Sequence, residues 1–163
     1  MKVLALDSAT TTGWAQLDGE RLIGTGTVNA GDLLRLDAFA VFICARERPD
    51  LVVIEDNFVM RGRKANPNTM KVLSRIVGAW LLAFAVRGVQ TEIVMPGAWQ
   101  KGVLPNLGAG KTKMAAALWV KATYGLVVPE DIADAIGLAT WIARREQLAA
   151  RVRTVGAIPR ATL

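Results

Sequence analysis

The chain has 163 residues, enough for one domain around one core and too few for two independent ones. With 52% hydrophobic and 21% charged residues it has the composition of a folded protein, which excludes a disordered chain. Twenty Lys and Arg against 14 Asp and Glu give a net charge of +6, a balance that suits an anionic partner such as nucleic acid as well as it suits simple solubility.

In chain order, Lys2 to Leu6 is a short apolar run ending at Asp7, as expected of a buried strand. It follows the first residue directly and Asp7 interrupts it early, so no signal peptide is expected. Gly13–Leu17 and Leu22–Val28 flank the turn pair Asp18-Gly19, which predicts a three-stranded meander. Asp32 opens an amphipathic helix to about Arg48, stopped by Pro49. Within that helix lies Cys44, the single cysteine, which has no internal partner for a disulfide and reads as a small buried hydrophobe in a reducing compartment.

Leu51–Glu55 (LVVIE) has the character of a central parallel strand. A basic loop with Arg61, Arg63 and Lys64 precedes a helix from about Asn68 to Arg87. That helix is apolar around most of its circumference, through Met70, Leu73, Ile76, Val77, Trp80, Leu81 and Phe84 with Val72, Leu82 and Val86 beside them. One domain face cannot cover so wide a stripe, and part of the helix is expected to be a homodimer interface. The apolar stretch Val72–Val86 contains Arg75 and is too short to span a bilayer, so the protein is expected to be cytoplasmic, with no membrane partner.

Gly88 ends the helix, Val89–Met95 forms a fifth strand, Pro96–Lys101 a short helical turn and Leu104–Gly110 a loop. Helices follow over about Lys111–Tyr124 and Pro129–Ala150. Residues 151–163 carry no strong pattern and are expected to form a partly mobile tail to a single domain over residues 1–150. The order of elements predicts an α/β layered domain with a mixed sheet.

Four carboxylates stand out. Asp7 and Glu55 each close an apolar strand, where a buried charge needs a cation or donor. Asp131 and Asp134 lie three apart at the start of a helix and so share one face. Each also has a plainer explanation: Asp7 as a turn-forming residue before Ser8–Thr12, and the acids after Pro129 as complements to the helix dipole. Glu55 resists such a reading best. If the helix face lies over the two strand ends, all four converge. The chain has no histidine and one cysteine, so any metal chemistry is oxygen-ligated and suits Mg²⁺. Without the four acids the rest of the molecule carries +10 (20 basic residues against 10 acids), a basic body around an acidic pocket.

Four segments in register resemble the RuvC-type Holliday-junction resolvases of the ribonuclease H-like superfamily. They are Leu4–Ala15 (LALDSATTTGWA), Pro49–Phe58 (PDLVVIEDNF), Ala98–Lys113 with Trp99-Gln100-Lys101 and Gly110-Lys111-Thr112-Lys113, and Asp131–Ala135 (DIADA). The resemblance extends from residue 2 to about 143. It implies a ribonuclease H-like mixed five-stranded sheet flanked by helices, and a homodimer that nicks symmetrically related strands of a four-way DNA junction. It further implies that Asp7, Glu55, Asp131 and Asp134 hold two Mg²⁺ or Mn²⁺ ions per active site, with Asp7 bridging them.

By the same resemblance Lys111, and with it Lys101, would contact the scissile or adjacent phosphate. Lys113, near the same helix N-terminus, is a further DNA-binding candidate or a plain solvated lysine. Phe58 would stack on bases at the junction, with Arg61, Arg63 and Lys64 on phosphates; otherwise it is a core aromatic. Asp56 departs from the family pattern, and strand alternation turns it away from Glu55. Short length and low similarity suggest a phage or otherwise divergent member, with forks or flaps as alternative substrates.

Gly110-Lys111-Thr112 is not a phosphate-binding loop of the P-loop kind, because Pro105 stands where the first glycine belongs. Gly24 and Gly26 lack the third glycine of a dinucleotide motif, and no nucleotide cofactor is expected. An actin-like kinase would need far more chain. A non-catalytic branched-DNA-binding protein would gain nothing from four acids facing phosphate.

Overall fold

In the computed structural model, residues 1–56, 66–104 and 112–156 are described, the last range by backbone alone at 112–113 and 154–156. Strands β1 (Lys2–Asp7), β2 (Thr11–Asp18) and β3 (Arg21–Asn29) form the antiparallel meander, and Gly19, at φ +60°, makes the tight turn between the second and third. Helix α1 (Leu33–Arg46) begins at Asp32, whose carboxylate accepts from the amides of Leu34 at 3.0 Å and Arg35 at 3.4 Å. Strand β4 (Leu51–Glu55), helix α2 (Pro67–Ala85) and strand β5 (Gln90–Val94) follow, then α3 (Pro96–Val103), α4 (Thr112–Tyr124) and α5 (Glu130–Gly156).

The sheet order is β3-β2-β1-β4-β5, antiparallel across β3, β2 and β1 and parallel across β1, β4 and β5. Alternation along each strand divides the core. Leu4, Leu6, Val52 and Ile54 face α1 and α2, whereas Val3, Ala5, Leu51 and Val53 face α3, α4 and α5. All five residues of β4 are buried, as a strand covered on both faces requires. The mixed five-stranded α/β sheet flanked by helices is the one expected.

Boundaries differ in informative places. The expected turn at Pro96–Lys101 is an eight-residue helix, with Trp99 and Val103 one turn apart on its buried side. Helix α5 continues past Ala150 to Gly156. Its later apolar residues, Leu148 and Val152, are exposed, so the apolar stripe fades while helix-favouring side chains carry the backbone on. On α2, Ile76, Val77, Trp80, Ala83 and Phe84 are buried, while Val72, Leu82 and the C-cap residue Val86 are exposed. The domain thus covers only part of the wide stripe.

Candidate active site

Asp7 is the last residue of β1 and falls on the same face as Val3 and Ala5, toward α5. Glu55 ends β4 on the face of Leu51 and Val53. The two strands are parallel neighbours with Leu6 beside Ile54, so the next residue on each brings Asp7 and Glu55 side by side at the C-terminal end of the sheet. Their carboxyl groups are hydrogen-bonded to each other. The loop after Asp7 is closed by Thr12, whose hydroxyl donates to the Ala9 carbonyl at 2.7 Å. The Ser8 hydroxyl donates to the main-chain oxygen of Glu55 at 2.5 Å and ties that loop to β4.

The first turn of α5 supplies the rest. Gly13, the partner of Asp7 across the β1–β2 ladder, lies directly against the main chain of Asp131. A Cβ at residue 13 would overlap the Asp131 carbonyl, so a glycine here lets the helix start come down onto the sheet. Asp7, Glu55, Asp131 and Asp134 then line one cleft of about 310 Å³, together with Glu130, Gln100 and Pro96. Asp131 and Glu130 occupy the first turn of α5, so the helix dipole and the cleft are served by the same residues.

Glu55 is 9% exposed, and its acid proton is held far more tightly than usual, its pKa pushed up to about 9. Burial is the largest cause, followed by the hydrogen bond and negative charge of Asp7; Asp134 adds to the rise. Opposing them, the Trp99 indole N–H donates to Glu55 Oε1 at 2.7 Å and favours the charged form. So many acids at one strand end are unfavourable without a cation, and every donor in the cleft is oxygen or a side-chain amide. That donor set fits a hard divalent ion held by Asp7, Glu55, Asp131 and Asp134. Among the described residues no group of three acids already surrounds a single point as a ready-made cage.

Of the other expected site residues, Lys101 lies exposed on α3, next to Gln100 of the cleft but not lining it. Phe58, Arg61, Arg63, Lys64 and Lys111 lie outside the described residues, and Lys113 is placed only as part of α4. Asp56 is not among the cleft residues; its amide donates to the Val94 carbonyl at 2.8 Å. Glu130, Gln100 and Trp99 were not among the expected site residues, yet Glu130 and Gln100 line the cleft and Trp99 reaches Glu55. Glu130 had a signal, since it lies four before Asp134 and shares its helix face. Trp99 and Gln100 stand in the Trp99-Gln100-Lys101 segment that resembles the family, but nothing local to them marks a contact with Glu55 or the cleft.

No family model matches the chain. Crossover junction endodeoxyribonuclease RuvC of Chloroflexus aurantiacus is 32% identical to it over 154 residues, 85% of this chain and 90% of that protein. The RuvC of Chloroflexus aggregans is 31% identical over the same shares. Among solved structures, Thermus thermophilus RuvC in complex with a Holliday junction superposes with a TM-score of 0.73 at 23% identity, covering 91% of this chain and 96% of that one. The fowlpox virus resolvase in complex with Holliday junction DNA matches at a TM-score of 0.57 and 14% identity, covering 90% and 99%. These likenesses show the ribonuclease H-like fold.

Proposed function

Because this chain belongs to the RuvC family of crossover junction endodeoxyribonucleases, we propose that it resolves four-way DNA junctions by metal-dependent hydrolysis of phosphodiesters, leaving 5′-phosphate and 3′-hydroxyl ends. The observation that carries this reading is the convergence of Asp7, Glu55, Asp131 and Asp134 on one cleft at the end of β1 and β4. These four would hold two Mg²⁺ or Mn²⁺ ions. Bound there, such ions activate water and stabilise the leaving oxygen of an in-line displacement.

The protein's own part is to hold the acids in place. Asp7, on the central strand, lies between Glu55 on β4 and the aspartate pair on α5, which suits it to serve both ions. Gly13 lets α5 come close enough for this. Lys101, exposed beside the cleft, is suited to a phosphate of the bound strand. Lys111 is proposed for the scissile phosphate, with Phe58, Arg61, Arg63, Lys64 and Lys113 as further DNA contacts. The chain's excess of basic residues favours a polyanion. Paired nicks need two sites, and the exposed Val72, Leu82 and Val86 of α2 support a homodimer formed through that helix. No helix among the described residues is long and apolar enough to cross a membrane.

The test is Asp7→Asn, assayed with Mg²⁺ on a synthetic four-way junction, a fork, a flap and a duplex side by side. Loss of cleavage by about a thousandfold or more, with junction binding retained, is expected if Asp7 helps to hold the ions that activate water. A variant that still cuts would overturn the site assignment. Equal cutting of forks or flaps by the wild type would move the substrate away from junctions.

A further inference from the structure

Trp99 is wholly buried, yet its indole nitrogen reaches a carboxylate rather than a main-chain carbonyl, donating to Glu55 Oε1 at 2.7 Å. A buried indole N–H needs an acceptor, but nothing in core packing requires that acceptor to be an acid of the cleft. On its other side the ring lies against Gly137 of α5, where any Cβ would overlap it. Gly137 is three residues beyond Asp134 on the same helix, one turn along. The ring therefore fills the space between the Glu55 carboxylate on β4 and the helix that carries Asp131 and Asp134.

The chemistry of the donor matters. Lys or Arg at this place would neutralise Glu55 and compete with a cation for it. The indole N–H is a neutral, donor-only group. It restrains one carboxylate oxygen without cancelling the negative charge and leaves the second oxygen for a metal ion. Ligating groups held by an outer partner in this way bind metal more tightly because their orientation is already set.

We propose that Trp99 is the positioning residue for Glu55, seated by Gly137, so that one ring sets both the orientation of the Glu55 carboxylate and its spacing from Asp131 and Asp134. This rests on the reading of the cleft as a divalent-metal nuclease site. Trp99→Phe keeps most of the ring and removes the N–H. Wild type, Trp99→Phe, Gly137→Ala and Asp7→Asn are compared, as full chains, for Mn²⁺ binding by calorimetry, junction binding, metal-free melting and Mg²⁺-dependent cleavage.

Trp99→Phe should bind Mn²⁺ about tenfold to a hundredfold more weakly, as loss of an outer-shell partner does, while junction binding stays unchanged. Gly137→Ala, which pushes the ring aside, should weaken Mn²⁺ binding in the same direction. A Trp99→Phe protein that binds Mn²⁺ and cuts like wild type overturns the proposal. If in that case Asp7→Asn is inactive, the nuclease reading stands and only the role of Trp99 falls; if Asp7→Asn still cuts, the reading itself falls. Should Trp99→Phe melt far below wild type, ¹⁵N-indole spectra of the wild type decide. Mg²⁺ should shift one of the five indole N–H signals, and five unmoved signals overturn the proposal.

Discussion

The two faces of the sheet are built from different materials. Toward α1 and α2 the core is filled by large rings: Trp14 and Phe39 lie 5.4 Å apart, Phe39 and Trp80 5.8 Å, and Trp80 and Phe84 6.0 Å. Toward α5 alanine is prominent where the strands meet the helix, with Ala5 and Ala15 on the strands and Ala133, Ala135, Ala139 and Ala143 on the helix, beside larger residues such as Leu17, Ile136 and Ile142. Large rings hold a helix off the sheet and fill the gap with apolar volume. Small residues let a helix sit close, and closeness is what brings two helix aspartates to two strand-end acids. Each face also buries a tryptophan with a polar use. The Trp80 N–H reaches the neutral Thr12 hydroxyl at 3.3 Å, and that of Trp99 reaches the Glu55 carboxylate at 2.7 Å. Both faces bury an apolar core, and only the second adds a charged cleft whose acids oppose one another.

The comparison breaks most visibly at Trp80. Trp80→Ala should cost about 3–5 kcal/mol, the usual range for deleting a large buried ring, measured by denaturant unfolding. Cleavage per folded molecule should fall far less than the stability, because the ring lies across the sheet from the cleft and reaches it only through Thr12 and the loop after Asp7. Gly13→Ala should reverse that pattern. Crowding the start of α5 should cost about 1–3 kcal/mol of stability, as overpacking does. Cleavage and Mn²⁺ affinity should fall much further, because Asp131 is carried out of place.

Glu55→Gln sharpens the contrast with the smallest expected shift. Glu55 holds its proton more tightly folded than unfolded, so in metal-free protein it lowers stability as pH rises from the ordinary value of 4.5 toward about 9. Melting scans without metal should therefore show Glu55→Gln several degrees more stable than wild type at pH 8, with the two converging near pH 4. Added Mg²⁺ should raise the wild-type melting temperature and leave the variant nearly unmoved. A wild type that is the more stable of the two at pH 8 without metal would show that the cleft does not strain the fold.

Much of the site could be read without coordinates because the relevant information is local. A period of two placed Asp7 with Val3 and Ala5, and Glu55 with Leu51 and Val53, on one face of the sheet. A spacing of three placed Asp131 and Asp134 on one face of α5, and the same reasoning applied at a spacing of four would have included Glu130. The absence of histidine restricted the ligands to oxygen, and four segments in register pointed to the family. The apolar stripe of α2 was equally visible, as was the Asp18-Gly19 turn.

What only the tertiary structure decided are the contacts between elements far apart in the chain. Nothing near Gly13 marks it as the seat for Asp131, and nothing near Gly137 marks it as the seat for a ring on α3. Helix α3 sets Gln100 on the cleft and Trp99 behind it against Glu55, contacts that no local pattern announces. Periodicity states which way a side chain points from its own backbone, but not how closely another backbone approaches. That distance is set by the volumes packed between the two, here by alanine and glycine, and it turns four separate acids into one cleft.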